Sequence, residues 1–292
     1  MKLDFEHYGG RPIYDTETKE LLFSRECGVG SNVNVLLHFL MDLKTKNIFP
    51  EKIITDLHLY HSFDLYKHIF DINLAKLNEW KNFDLEKIHK FLNCNAVNLY
   101  GLGTSQSTID FGILSSILDV YFNFKENIIN NAEQIINKHN IDTENTVFIW
   151  WRETDKPTEI TWYRKDAQYP TVKDFLKYIP TGKRVILQTD DKNIVEAVRQ
   201  SSNHNIEILD ILPITESKVG FHHEIKNSSV DSFKQTHNTT IEQHLIDLFS
   251  LIYIASKCKH YIGYPGSLTF VIALSRRNFN NFIFFKNSEE LY

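Results

Sequence analysis

The sequence predicts an α/β protein made of two Rossmann-like halves, and two observations carry that prediction. Apolar segments of strand length alternate with amphipathic segments of helix length along most of the chain. Such alternation implies parallel sheets with helices packed on both faces. The length, 292 residues, is also large for one core and suits two domains of roughly 140 residues each. The boundary is expected near residue 140, after the polar stretch Lys138-His139-Asn140.

In the first half, Glu20-Leu21-Leu22-Phe23-Ser24 reads as a strand that breaks at Cys27-Gly28-Val29-Gly30. Val33, Val35, Leu36, Leu37, Phe39, Leu40 and Leu43 then fall mostly on one helical face. Further strands are expected over 53–59 and 96–100, the second followed by Gly101-Leu102-Gly103, and residues 111–139 read as helical. The second half alternates more clearly. Strands are expected over 147–151, 184–187, 206–209, 260–263 and 282–285, and helices over 172–179, 192–200, 242–257 and 268–276. Polar residues 215–240 are expected to be the longest irregular stretch, and loops of that length are usually functional or disordered.

The bulk properties exclude several classes. Apolar residues make up 42% and charged residues 24%, an ordinary globular composition. A net charge of −5 with dispersed basic residues gives no footprint for nucleic acid. The N-terminus has no apolar core of signal-peptide type, and no apolar run reaches membrane-spanning length. A soluble cytoplasmic protein without a transmembrane segment is therefore expected. Cys27, Cys94 and Cys258 are far apart with no CxxC pair, and read as reduced thiols. No GxxxxGK[ST], HExxH, GxSxG or DxD pattern occurs. His222-His223-Glu224 lacks further spaced ligands and reads as surface, so no metal or cofactor is expected.

In open α/β sheets ligands bind at the C-terminal ends of the strands. Polar clusters at such ends span 27–32, 152–159, 188–191 and 263–267. Gly28, Gly30, Ser31 and Asn32 stand at a strand–helix junction, where backbone N–H groups and the helix dipole suit an anion. A tight turn explains the same glycines equally well, and that is the reading for Gly101–Ser105. Arg152 emerges from the end of strand 147–151 with a planar, permanently charged guanidinium suited to phosphate. The alternative is an ion pair with Glu153 or Asp155. Thr189, Asp190 and Asp191 precede a helix, as do Gly266 and Ser267, and capping accounts for such residues as well as ligand binding does.

Taken in order, the four clusters resemble the motif series of the fucosyltransferase superfamily that includes α1,6-fucosyltransferases, rhizobial nodulation fucosyltransferases and protein O-fucosyltransferases. Gly28-Val29-Gly30-Ser31-Asn32 matches its glycine turn. Trp150-Trp151-Arg152-Glu153-Thr154-Asp155-Lys156 matches its His-x-Arg-Arg-Thr-Asp-Lys segment, and Thr189-Asp190-Asp191 its Thr-Asp-Asp strand end. The stretch from Asp247 to Ser267 matches its helix, strand and serine turn, so the resemblance covers roughly residues 20–285.

The resemblance implies a GT-B fold, with an acceptor-side domain over 1–140 and a nucleotide-sugar-binding domain over 141–292. It implies an inverting, metal-independent transfer of fucose from GDP-fucose to a glycan or glycoconjugate hydroxyl. Arg152 and Ser267 match the groups that hold the β-phosphate, and Gly30-Ser31 falls where the backbone approaches the diphosphate. Glu159 matches the proposed base after a one-residue gap. Asp247 is the nearest acid to the guanine-reading carboxylate, with Ser250 as the alternative under another gap. Gly28, Asn32, Asp155, Lys156, Thr189, Asp190, Asp191 and Gly266 complete the expected donor site. Two positions depart from the family pattern: its histidine is Trp150 here and its second arginine is Glu153, which becomes a second candidate base. Those departures leave open another nucleotide sugar on the same fold, or a non-catalytic glycan- or nucleotide-binding module.

Overall fold

The computed structural model describes residues 2–4, 12–78, 85–88, 109–152, 154, 170–201, 205–216, 220–264 and 266–285. The protein is mixed α/β, with a parallel five-stranded sheet in its second half.

The first half opens with β1 (Lys2–Asp4), β2 (Ile13–Asp15), β3 (Glu20–Arg25), α1 (Val29–Thr45) and β4 (Lys52–Leu57). The strand expected over 53–59 ends at Leu57, and a 3-10 turn follows over His58–Tyr60. Next come α2 (Leu65–His68), β5 (Phe70–Asp71), α3 (Phe111–Tyr121), β6 (Asn123–Phe124) and α4 (Glu126–Lys138). The strand expected over 96–100 and the glycine turn after it lie outside the described residues.

The first sheet corrects the expectation of parallel pairing throughout. Its order is β1-β2-β3-β4, antiparallel from β1 to β3 and parallel only between β3 and β4. The helix expected over 111–139 is also broken. Asn123 Nδ2 donates to Asp119 O at 2.8 Å and satisfies a terminal carbonyl of α3. Phe122 and Phe124 then pack on Phe70 at ring separations of 5.4 and 5.5 Å. An aromatic cluster therefore overrides the continuous apolar periodicity of that stretch.

The second half runs β7 (Thr146–Trp151), α5 (Val172–Leu176), β8 (Arg184–Thr189), α6 (Lys192–Ser201), β9 (Ile206–Ile208), α7 (Phe221–Asn227), α8 (Val230–His237), α9 (Ile241–Lys257), β10 (His260–Gly263), α10 (Ser267–Arg276) and β11 (Phe282–Phe284). The sheet order is β11-β10-β7-β8-β9 and every pairing is parallel. β7 lies at its centre and all six of its residues are buried, which is why residues 147–151 read as an unbroken apolar run. The polar stretch 215–240 is not wholly irregular, since it holds α7 and α8. Ser229 starts α8 by accepting from Ser232 N at 3.1 Å, and Phe233 anchors the helix in the core.

Helices join the two sheets. Asn131 Nδ2 on α4 donates to Asp247 Oδ1 and Ser250 Oγ on α9, each at 3.0 Å. On the other side, α1 packs on α10, and Asn34 Nδ2 donates to Ser267 O at 3.4 Å. Cys27 and Cys258 are free thiols, and Cys94 lies outside the described residues. No helix among the described residues is long and apolar enough to cross a membrane.

Candidate functional site

A cavity of about 280 Å³ opens where the C-terminal ends of β3, β7, β8 and β10 converge. Its lining combines two helix starts and an arginine with apolar side chains.

The glycine turn forms one wall. Gly28 starts α1 with no side-chain cap, and Asn32 Nδ2 holds the turn by donating to Cys27 O at 2.7 Å and Gly28 O at 3.2 Å. The Val29 N–H is donated to the Tyr60 hydroxyl at 3.1 Å. α10 likewise starts at Gly266 with no side-chain cap. The two helix starts touch: a Cβ on Gly30 would lie 3.0 Å from Leu268 N and 3.1 Å from the Ser267 carbonyl carbon. Glycine at position 30 is what permits that approach. Both N-termini border the same cavity, and each carries partial positive charge.

Arg152 stands across from them. Its Nε donates to Asp190 Oδ2 at 2.8 Å, and Thr154 Oγ1 donates to the same oxygen at 2.9 Å. Of the two adjacent aspartates, Asp191 takes the capping role at the start of α6. It is buried and accepts from Asn193 N at 2.7 Å and Asn193 Nδ2 at 2.8 Å. Asp190 and Thr189 line the cavity.

Leu212, Pro213, Phe221 and Leu248 give the cavity apolar walls. Three polar side chains among the cavity residues carry buried atoms with no hydrogen-bond partner among the described residues: Ser31 Oγ, Gln188 Oε1 and His244 Nδ1. His244 is held at the neutral end of its range, its pKa lowered to about 3 by burial first, with His237 and Arg152 adding to the effect.

The structure thus brings Gly28, Gly30, Ser31, Arg152, Thr189, Asp190, Gly266 and Ser267 to one cavity. Asn32 and Asp191 support it from behind through the turns they hold. Asp247 is placed elsewhere: its carboxylate faces α4, accepts from Asn131 and Gln243, and does not line the cavity. Burial raises its pKa above the usual aspartate value. Ser250 faces α4 as well, donating to Ile128 O at 3.1 Å. Glu153, Asp155, Lys156 and Glu159 lie outside the described residues. Tyr60, Phe221, His222, His244, Leu248 and Tyr264 line the cavity without having been singled out as site residues. His244 carried a usable signal, standing four residues before Leu248 and so on the same face of its helix. Among the described residues no group of three or more His, Cys, Asp or Glu is arranged to hold a metal ion.

No family model and no curated protein matches this chain. Solved structures of a fucosyltransferase are similar to it. NodZ alpha-1,6-fucosyltransferase co-crystallized with GDP gives a TM-score of 0.49 at 12% identity, over 93% of this chain and 96% of that one. The same enzyme soaked with GDP-fucose gives 0.46 at 12% identity, over 87% and 91%. Fucosyltransferase NodZ from Bradyrhizobium gives 0.49 at 10% identity, over 93% and 96%.

Proposed function

We propose that this chain is a glycosyltransferase that moves fucose from GDP-fucose to a hydroxyl of a glycan or glycoconjugate, with inversion and without a divalent metal. The observation that carries this reading is the contact of two side-chain-uncapped helix starts, α1 and α10, on a cavity that also holds the Arg152–Asp190 pair. A doubly charged diphosphate suits those helix starts and Arg152, and a nucleoside suits the apolar walls. The motif resemblance supplies the sugar. In this reading residues 1–140 form the acceptor-side domain of a GT-B arrangement and residues 141–292 the donor-binding domain.

The chemistry follows from the charges. Negative charge develops on the diphosphate as the bond from the anomeric carbon to its oxygen breaks. Arg152 and the first-turn N–H groups of α1 and α10 are suited to offset it. The acceptor hydroxyl attacks from the opposite face while a carboxylate takes its proton, a role that falls to Glu159 or Glu153. One displacement inverts the anomeric centre.

Thermal-shift measurements with GDP, UDP and NAD in EDTA test the donor class. GDP is expected to stabilise the protein most, and a larger effect of UDP removes the fucose assignment. An acceptor array incubated with GDP-fucose in EDTA then tests transfer. Binding of GDP-fucose with no transfer to any acceptor turns the protein into a binding module.

A further inference from the structure

We propose that the base of the nucleotide is read by two neutral acceptors of the cavity lining, the imidazole of His244 and Oε1 of Gln188, rather than by a carboxylate. The inference rests on the nucleotide-sugar reading above and names the residues that would make it selective for guanine.

Gln188 is 1% exposed, and its Nε2 donates to Thr189 O at 3.0 Å. That bond fixes the orientation of the amide and leaves Oε1 as a buried acceptor with no partner among the described residues. His244 is 7% exposed and its Nδ1 is likewise without a partner there. Its ring is held by packing, 4.8 Å from the ring of Phe221 and 6.2 Å from that of Phe233. A neutral imidazole offers one acceptor nitrogen and one donor. Buried polar groups left unpaired are costly, and of the three in this cavity lining Ser31 stands in the first turn of α1, which leaves Gln188 and His244 as the pair for the base.

Guanine carries two N–H donors side by side on one edge. Adenine offers a donor beside an acceptor, and uracil a single donor between two acceptors. Two acceptors therefore suit guanine best. The acid that sequence spacing suggests for this role, Asp247, is turned toward α4 and bound by Asn131 and Gln243. Among the described residues, the sole acidic residue lining the cavity is Asp190, which is engaged by Arg152.

Calorimetric titration of the full chain with GDP, ADP, UDP and inorganic pyrophosphate tests this. The wild type is expected to prefer GDP. His244→Phe keeps the packing and removes both nitrogens; it should weaken GDP roughly ten- to hundredfold, leave pyrophosphate unchanged and level GDP with ADP. His244→Gln restores an acceptor and should recover part of the loss, and Gln188→Met should act in the same direction as His244→Phe. If His244→Phe and Gln188→Met bind GDP as the wild type does, the base-reading roles are overturned and the nucleotide-sugar reading stands. If the wild type binds none of the nucleoside diphosphates, the nucleotide-sugar reading falls and the base-reading roles fall with it.

Discussion

Arg152 and Asp190 form an ion pair across the ends of neighbouring strands, Nε to Oδ2 at 2.8 Å, with side-chain exposures of 15% and 13%. Thr154 donates to the same carboxylate oxygen, so the pair is fixed from two sides. A carboxylate on the Nε edge sets the plane in which the guanidinium meets its ligand. Asp190→Asn keeps an acceptor but loses the charge. It is expected to raise the donor KM and lower kcat/KM about tenfold. Arg152→Ala removes the cation itself and is expected to lower kcat by roughly 100- to 1000-fold with the fold retained. Steady-state kinetics with melting curves on both variants check this, and near-normal turnover of Arg152→Ala rules out a phosphate role.

Gly30→Ala places a methyl group 3.0 Å from Leu268 N, a backbone atom that cannot swing aside. The substitution should push the starts of α1 and α10 apart at a cost of about 1–3 kcal/mol. Weaker binding of pyrophosphate is expected to accompany the lower stability. Urea denaturation and calorimetry read the two effects separately. Gly28→Ala is the matched control for stability, because a Cβ there meets nothing within 4 Å.

Acid should destabilise the protein through its buried histidines. His38 and His244 both have pKa values lowered from 6.5 to about 3, with burial as the leading cause. The unfolded chain takes up these protons below its ordinary histidine pKa, whereas the folded chain does not until far lower pH. The stability they confer is thus present above pH 6.5 and lost as pH falls toward 3. Each contributes a slope of up to about 1.4 kcal/mol per pH unit in that window. Urea denaturation of His244→Phe at several pH values should show a shallower acid slope than the wild type. Parallel slopes would show that His244 is protonated in the folded protein.

Asp247 has the opposite sign. Its folded pKa is raised by burial, with the donors Gln243 and Asn131 pulling the other way. The folded protein therefore holds this proton more tightly than the unfolded chain, and stability falls as pH rises through the carboxylate range. Asp247→Asn keeps an acceptor for both partners and removes that penalty. A higher Tm than the wild type is expected at pH 7, with the gain vanishing below about pH 3. An equal gain at both pH values would point to packing rather than charge.

Local residues explain what the sequence revealed and what it hid. The five-stranded sheet was legible because β7, β8 and β10 are short, apolar and bounded by polar turns, and each emerged within two residues of its expected limits. The antiparallel pairing of β1 and β2 was hidden, since three-residue strands carry too little alternation to stand out. The polar part of the cavity lining was legible because Gly30 and Ser267 sit at strand–helix junctions and Arg152 directly follows β7. The rest of the lining was not. His244 and Leu248 belong to a helix, Phe221 to α7 and Tyr60 to a short turn in the first half, and only tertiary packing unites them. Asp247 shows the same limit from the other side: three residues along a helix from His244, it answers to a different neighbour.

The paired tryptophans that end β7 give the protein a built-in optical probe. Trp150 is 2% exposed and lines the cavity beside Arg152. Trp151 points to the other face of the sheet, shielded between Phe175 at 4.7 Å and Phe285 at 5.6 Å. A purine entering the cavity should quench the indole emission of Trp150 while that of Trp151 stays constant. Trp80 and Trp162 emit as well, so with both replaced by Phe, Trp150→Phe should abolish the quenching and leave the Trp151 emission unmoved, and a fluorimeter with unlabelled nucleotide then follows occupancy in real time.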